Sequence, residues 1–109
     1  MRVTLERDEK LRLAQRRLGL SQDGLRKKLK VGAEQVRRWY YDAEEIPTKV
    51  LKDLPTGAPS KAEKCWILRR REGMTIEDVA KDMGISRVWV WKMEKGQEDP
   101  KELADYWGI

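Results

Sequence analysis

The chain has 109 residues, of which 39% are charged, and it carries a formal net charge of +5 with no histidine and one cysteine. That length suits one ordinary domain or two very small ones, while the lone Cys65 excludes an internal disulfide or thiolate metal cluster and the missing histidines remove the usual general base. Excess positive charge favours acidic partners, nucleic acid or an anionic membrane surface, over basic ones. No apolar run is long enough to span a bilayer and the start, "MRVTLERDEKLR", is charged, so a cytoplasmic protein with no membrane span is expected.

In chain order, Leu11, Ala14 and Leu18 recur at i, i+3 and i+7 behind Thr4, a candidate cap, and predict a first helix. A short second helix begins at Ser21, whose side-chain oxygen can cap it, and sets Leu25 and Leu29 four apart on one face. Gly24 lies inside it, at a cost of about 1 kcal/mol relative to alanine. After a turn, "AEQVRRWYYD" holds Val36 and Trp39 at helical spacing, and Pro47 leads into a short helix over "TKVLKDL". The stretch "DLPTGAPS", Asp53 to Ser60, reads as a linker. Residues 1–54 are thus expected to form one domain, 55–60 the connection and 61–109 a second domain.

The second half opens on "SKAEKCWILRRREG", where Ser60 and Glu63 make a capping box. From Gly73 onward it repeats, without a gap, the segment that starts at Gly19. Leu20 then stands over Met74, Leu25 over Val79, Leu29 over Met83, Val31 over Ile85, Val36 over Val90 and Trp39 over Met93, with Ser21 over Thr75. Within it, "VWVW", Val88 to Trp91, taken alone favours a strand. A strand would set both valines on one face and both tryptophans on the other, yet the aligned segment of the first half has no alternation, and Val90 and Met93 lie three apart between Ser86, a cap, and Gly96. The register predicts a helix, entered through a left-handed turn at Gly84. Asp99, Pro100 and Glu102 start a last helix over "KELADYW". Each half should therefore hold four helices, eight in all, with no strand. Trp66, Trp91 and Trp107 are expected to bridge the halves or seal their cores, and Cys65 to be a small core residue.

A short helix from Ser or Thr, a turn of about four residues and a second helix make the helix-turn-helix layout. Both halves resemble the Cro/repressor-type family. The second half supplies Met74, Thr75, Val79, Ala80, Met83, Gly84, Ile85, Ser86, Val90, Glu94 and Gly96, with Arg69 where the family often pairs an arginine with that glutamate; the first supplies Leu20, Ser21, Gln22, Leu25, Leu29, Val31, Val36 and Trp39. The resemblance implies an all-α fold of two small four-helix helix-turn-helix domains in tandem, double-stranded DNA as partner and no cofactor. The first half departs from the pattern: Arg26 replaces a small alanine, Lys30 the turn glycine, Gly32 the capping serine, and Tyr40 and Asp42 the closing Glu and Gly. A non-glycine residue in the left-handed turn costs roughly 1 kcal/mol, so the first half should be the less stable.

Charge runs the other way. Residues 1–55 hold 14 Lys/Arg against 9 Asp/Glu, whereas 56–109 hold 10 of each, so the whole excess lies in the first half. Arg26, Lys27, Lys28, Lys30, Arg37 and Arg38 crowd its two helices, as phosphate contacts require. By resemblance, base edges are read by Ala33, Glu34, Gln35 and Arg38 and by Arg87, Val88, Trp89 and Lys92. Gln35 can bond adenine twice, Arg38 and Arg87 can fork onto guanine, Glu34 can accept from cytosine, and Val88 can touch a thymine methyl. Ser21, Gln22, Thr75 and Ser86 would meet phosphates near helix N-termini. Trp89 has two readings, one against thymine methyls or sugar and one buried on the other half. The expected function is a sequence-specific regulator, a small phage or mobile-element repressor, alone or as a homodimer. The alternative is a protein-interaction module, inhibitor or antitoxin-like, that uses exposed tryptophans. No enzyme is expected, because no nucleophile with a base, phosphate-cradling loop or metal-ligand cluster is present.

Overall fold

The computed structural model describes residues 3–41 and 44–109, and among these it has eight helices and no strand. They are α1 (Arg7–Leu18), α2 (Gln22–Leu29), α3 (Ala33–Tyr40), α4 (Thr48–Lys52), α5 (Lys61–Arg71), α6 (Ile76–Met83), α7 (Arg87–Glu94) and α8 (Lys101–Trp107). The repeat seen in the sequence reappears in the backbone, since the register that sets Gly19 over Gly73 also sets both ends of α2 over those of α6 and both ends of α3 over those of α7. The tryptophan-rich segment is helical, as its register requires.

Two compact units result, one over 4–57 and one over 58–109 together with Val3. In the first, Leu11 and Ala14 of α1 meet Leu25 of α2, Val36, Trp39 and Tyr40 of α3, and Ile46, Leu51 and Leu54. In the second, Cys65 of α5 meets Val79 and Ala80 of α6, Val90 and Met93 of α7, and Leu103 and Ala104 of α8. Each core is small, so the polar details at helix ends carry a correspondingly large share of the stability.

Those ends follow the expected chemistry in most places. The Ser21 hydroxyl accepts from the Gly24 amide at 3.0 Å, Thr75 from Asp78 at 3.1 Å and Ser86 from Trp89 at 3.1 Å. Ser60 and Glu63 close their reciprocal box at 3.2 and 2.9 Å. Asp99 takes the Lys101 amide at 3.1 Å ahead of α8. Both helix-turn segments end in the same left-handed motif: Gly84 (φ 70°) sends its amide to the Lys81 carbonyl and Ile85 to Ala80, and Lys30 (φ 57°) does the same with Lys27 and Val31 with Arg26. Lys30 is the one non-glycine residue with positive φ among those described.

Three expectations are corrected. The cap of α1 is Glu6, whose amide donates to Glu9 at 2.9 Å, and not Thr4, because the helix starts only at Arg7. Leu18 is 36% exposed: α1 stops there and Gly19 (φ 66°) turns the chain, so Leu20 packs on the core instead. Arg26 does stand in the register place of the buried Ala80, and its side chain reaches Asp23 at 2.8 Å. Trp91 is 41% exposed and stands outside the core of its unit, whereas Trp107 packs on that core and stacks on Tyr106 at 4.9 Å. Asp42 lies outside the described residues.

Candidate nucleic-acid interface

In the first unit the buried side of α3 is Val36, Trp39 and Tyr40, so the helical repeat turns Ala33, Glu34, Arg37 and Arg38 to solvent with Gln35 half-buried at one edge. Ser21 and Gln22 are exposed at the start of α2. Lys28, Lys30 and Arg37 are exposed and have no ion-pair partner among the described residues. Arg26 and Lys27 are instead engaged by Asp23, at 2.8 and 3.2 Å, and these bonds hold the Asp23 carboxyl below its ordinary range.

Two of the expected base-reading side chains converge on a residue that the sequence pattern did not single out. The Glu44 carboxylate accepts from the Gln35 amide at 2.9 Å and lies 4.0 Å from the Arg38 guanidinium. Glu44 comes from the connection after α3 and belongs to no periodic run, so only the folded backbone brings it to the reading face. Its bond fixes which way the Gln35 amide points, with the carbonyl oxygen and one N–H left over.

In the second unit α7 buries Val90, Met93 and Glu94, and Arg87, Val88 and Trp89 are exposed with Lys92 half-buried. Trp89 is 40% exposed. Thr75 and Ser86 sit at the N-termini of α6 and α7 with their oxygens occupied as caps. Asp78 is held below its ordinary range by the Thr75 amide and hydroxyl. The electrostatics of the two faces differ: residues 22–40 hold six Lys/Arg and two Asp/Glu, whereas 76–94 hold three and four.

Both units have a groove between these helices, and the linings share the equivalent positions Gln22 and Ile76, Asp23 and Glu77, Ala33 and Arg87, and Arg37 and Trp91. In the first it is about 250 Å³ with Gln22, Asp23, Arg26, Ala33 and Arg37 around Val36. In the second it is about 540 Å³, lined by the apolar Met74, Ile76, Val88 and Trp91 together with Arg69, Thr75, Glu77 and Arg87. Ile76 and Trp91 stand where the first unit has Gln22 and Arg37.

The second unit is closed by a charged pair. Arg69 donates to both Glu94 carboxylate oxygens, at 2.7 and 3.1 Å, and to the Met74 carbonyl at 3.0 Å, joining α5, the turn before α6 and α7. Cys65 is buried beside it, and burial pushes its thiol up to about 12. No group of three or more Cys, Asp or Glu side chains able to hold a metal ion occurs among the described residues, and no helix among them is long and apolar enough to cross a membrane.

A family model described as a helix-turn-helix domain matches residues 67–104, from within α5 to within α8. The matched stretch lies within the second unit, which is thus similar to a helix-turn-helix domain. Comparison with curated proteins and with solved structures yields no match.

Proposed function

We propose that the protein is a sequence-specific regulator that binds double-stranded DNA through tandem helix-turn-helix units, residues 1–54 and 61–109, with the first as the principal reader. The observation that carries this reading is the outward face of α3, where Ala33, Glu34, Gln35 and Arg38 lie beside the exposed cations Lys28, Lys30 and Arg37. Such a face combines the two ingredients of specific binding, cations for phosphate and forked or amide side chains for base edges. Ser21 and Gln22 would meet phosphate at the start of α2. Thr75, Ser86, Arg87, Val88, Trp89 and Lys92 form the equivalent set of the second unit, with less charge behind it. A small repressor of the phage or mobile-element type fits this size and layout.

The test is selection of duplexes from a random pool by the purified chain, followed by titration of the winners. A preferred sequence should bind at least a thousand-fold tighter than random duplex, on the order of specific binders generally, and weaken steeply with salt. Arg38→Ala should cost about 1–3 kcal/mol and relax the preference at one position, while Lys28→Ala should weaken all sequences alike. Binding indifferent to sequence would remove the regulator reading.

A second reading, a protein-interaction role for one unit, is favoured by the apolar groove of the second unit alone.

A further inference from the structure

We infer that the hollow between α1 and α4 of the first unit is a binding site for a terminal phosphate group, the dianion of a small phosphate monoester. The hollow is about 220 Å³ and is lined by Arg7 and Lys10 of α1, by Thr48, Leu51 and Lys52 of α4, and by Thr56 beyond it. Three cations and no carboxylate are in that lining. Such a gathering of like charge opposes folding, because each cation repels the others across a small space. Two of the three also stand at the start of α1, the end of a helix at which positive charge is the disfavoured sign. The carboxylates of that turn are engaged elsewhere, Asp8 with Arg12 at 3.8 Å and Glu9 with the Glu6 amide at 2.9 Å. The repeat offers a comparison. Lys61 and Lys64 of α5 hold the places of Arg7 and Lys10, but pairing the prolines that start the last helices, Pro47 and Pro100, puts Asp105 at the place of Lys52. Two positive charges and one negative there stand against three positive charges here.

The parts suit a phosphate dianion. Lys10 is half-buried and Lys52 exposed, and neither has an ion-pair partner among the described residues. Arg7 is anchored by donation to the Ile46 carbonyl and pairs with Glu45 at 3.2 Å, an exposed contact of little strength, and its guanidinium keeps N–H donors over. Thr48 is exposed and adds a hydroxyl, whereas the Thr56 hydroxyl is committed to the Leu51 carbonyl at 3.4 Å. The Leu51 side chain offers an apolar contact to the carbon end of an ester. A volume of about 220 Å³ lies below the roughly 300–1,000 Å³ of drug-sized sites, so the occupant is small. A phosphodiester of duplex DNA is the weaker fit, because it carries one negative charge where a monoester carries nearly two, and offers two unesterified oxygens where a monoester offers three. None of these six residues belongs to the faces proposed for DNA, and the inference does not depend on the first unit reading DNA.

Calorimetric titration of the full chain with phenyl phosphate at low ionic strength should give one site with a Kd on the order of 0.1 mM, as a few charge-assisted hydrogen bonds would supply. Amide NMR shifts should locate it at residues 7–10 and 48–56. Inorganic phosphate should compete, and dimethyl phosphate, a diester, should bind about ten-fold more weakly or worse. Lys52→Asp, which installs the second unit's residue at an exposed place, should weaken phenyl phosphate by about ten-fold or more, and Lys52→Arg should retain it. Lys28→Ala, on the face proposed for DNA, should leave it unchanged. Lys10→Gln gives the same loss should Lys52→Asp lose helix content by circular dichroism. No binding of phenyl phosphate up to about 10 mM overturns the inference, as does binding indifferent to Lys52→Asp or a diester bound as tightly as the monoester. Shifts at these residues with a DNA duplex and none with phenyl phosphate would make the hollow a contact for the DNA backbone, and overturn it too. These failures leave the α3 face untouched, so the regulator proposal would stand.

Discussion

Arg69 and Glu94 are joined by two hydrogen bonds, at 2.7 and 3.1 Å, with the carboxylate only 3% exposed. In the register of the repeat, the same two places of the first unit hold Gln15 and Tyr40, whose amide oxygen and hydroxyl are hydrogen-bonded to each other. The Arg12 guanidinium adds a cationic contact to that phenol–amide pair, lying 4.5 Å above the Tyr40 ring and donating to its carbonyl at 3.0 Å. One fold thus closes its first helix onto its third by an ion pair in one unit and by a phenol–amide bond in the other.

The two closures differ in what their removal should cost. Glu94→Ala strands the guanidinium of Arg69, which is 15% exposed, and removal of one partner from a buried pair costs on the order of 3–5 kcal/mol. Tyr40→Phe removes one neutral bond and keeps the ring under Arg12, so about 1 kcal/mol is expected. Denaturant melts of the two variants should rank in that order, and equal losses would show that the ion pair adds nothing beyond packing.

Lys30 is held in the left-handed region at φ 57°, where Gly84 sits in the second unit. Lys30→Gly should therefore raise the stability of the first unit by about 1 kcal/mol, the strain of a side chain in that conformation. Gly32→Ser, which adds the hydroxyl cap that Ser86 provides in the second unit, should add only a few tenths, because glycine is itself an acceptable cap. A destabilised Lys30→Gly variant would mean that contacts of the lysine side chain offset its strain.

Cys65 offers a chemical clock for the second unit. Its sulfur is fully buried, and desolvation, aided by the Glu94 charge, raises the thiol to about 12, so the reactive thiolate is scarce at pH 8. Maleimide labelling of the native chain should be slow and should accelerate in Glu94→Ala in proportion to the increased population of open molecules. Rapid labelling of the native wild type would contradict the buried placement.

The cap of α6 should be visible in the acid limb of stability. Hydrogen bonds from the Thr75 amide and hydroxyl hold the Asp78 carboxyl below its ordinary pKa. A carboxylate lowered on folding stabilises fully above its unfolded value and loses that contribution as pH falls through the native one. Melting temperatures should be level from pH 7 to 5 and decline below about 4, with a shallower decline in Asp78→Asn.

Much of this was legible in the sequence because the repeat supplied its own control. Val36 and Val90, or Leu25 and Val79, identify each other as core, and that pairing is what resolved the "VWVW" segment as α7. The Arg69–Glu94 bond was readable from the family pattern, but its neutral counterpart was not, since Gln15 and Tyr40 match no pattern and meet only across the fold. Leu18 misled because periodicity says which face a residue takes but not where the helix stops. Trp91 misled because hydrophobicity alone does not distinguish a core position from the wall of an open groove. Glu44 carried no local signal whatever, being brought to α3 by the turn of the chain.

Glu44 nevertheless should govern how strongly α3 meets DNA. Its negative charge faces the proposed phosphate and base contacts and partly offsets Arg38 at 4.0 Å, while its bond orients Gln35 at 2.9 Å. The two effects separate by substitution. Glu44→Gln removes the charge and keeps a hydrogen-bond partner for Gln35, so affinity should rise several-fold for every duplex, in line with the few tenths to about 1 kcal/mol of an exposed pair. Glu44→Ala removes the partner as well, so the gain in affinity should come with weaker discrimination at the base that Gln35 reads, because a freed amide rotates and accepts more than one edge. Titration of both variants against a preferred and a randomised duplex at two salt concentrations measures each effect. Unchanged affinity in both variants would place Glu44, and with it the Gln35–Arg38 face of α3, away from the bound DNA.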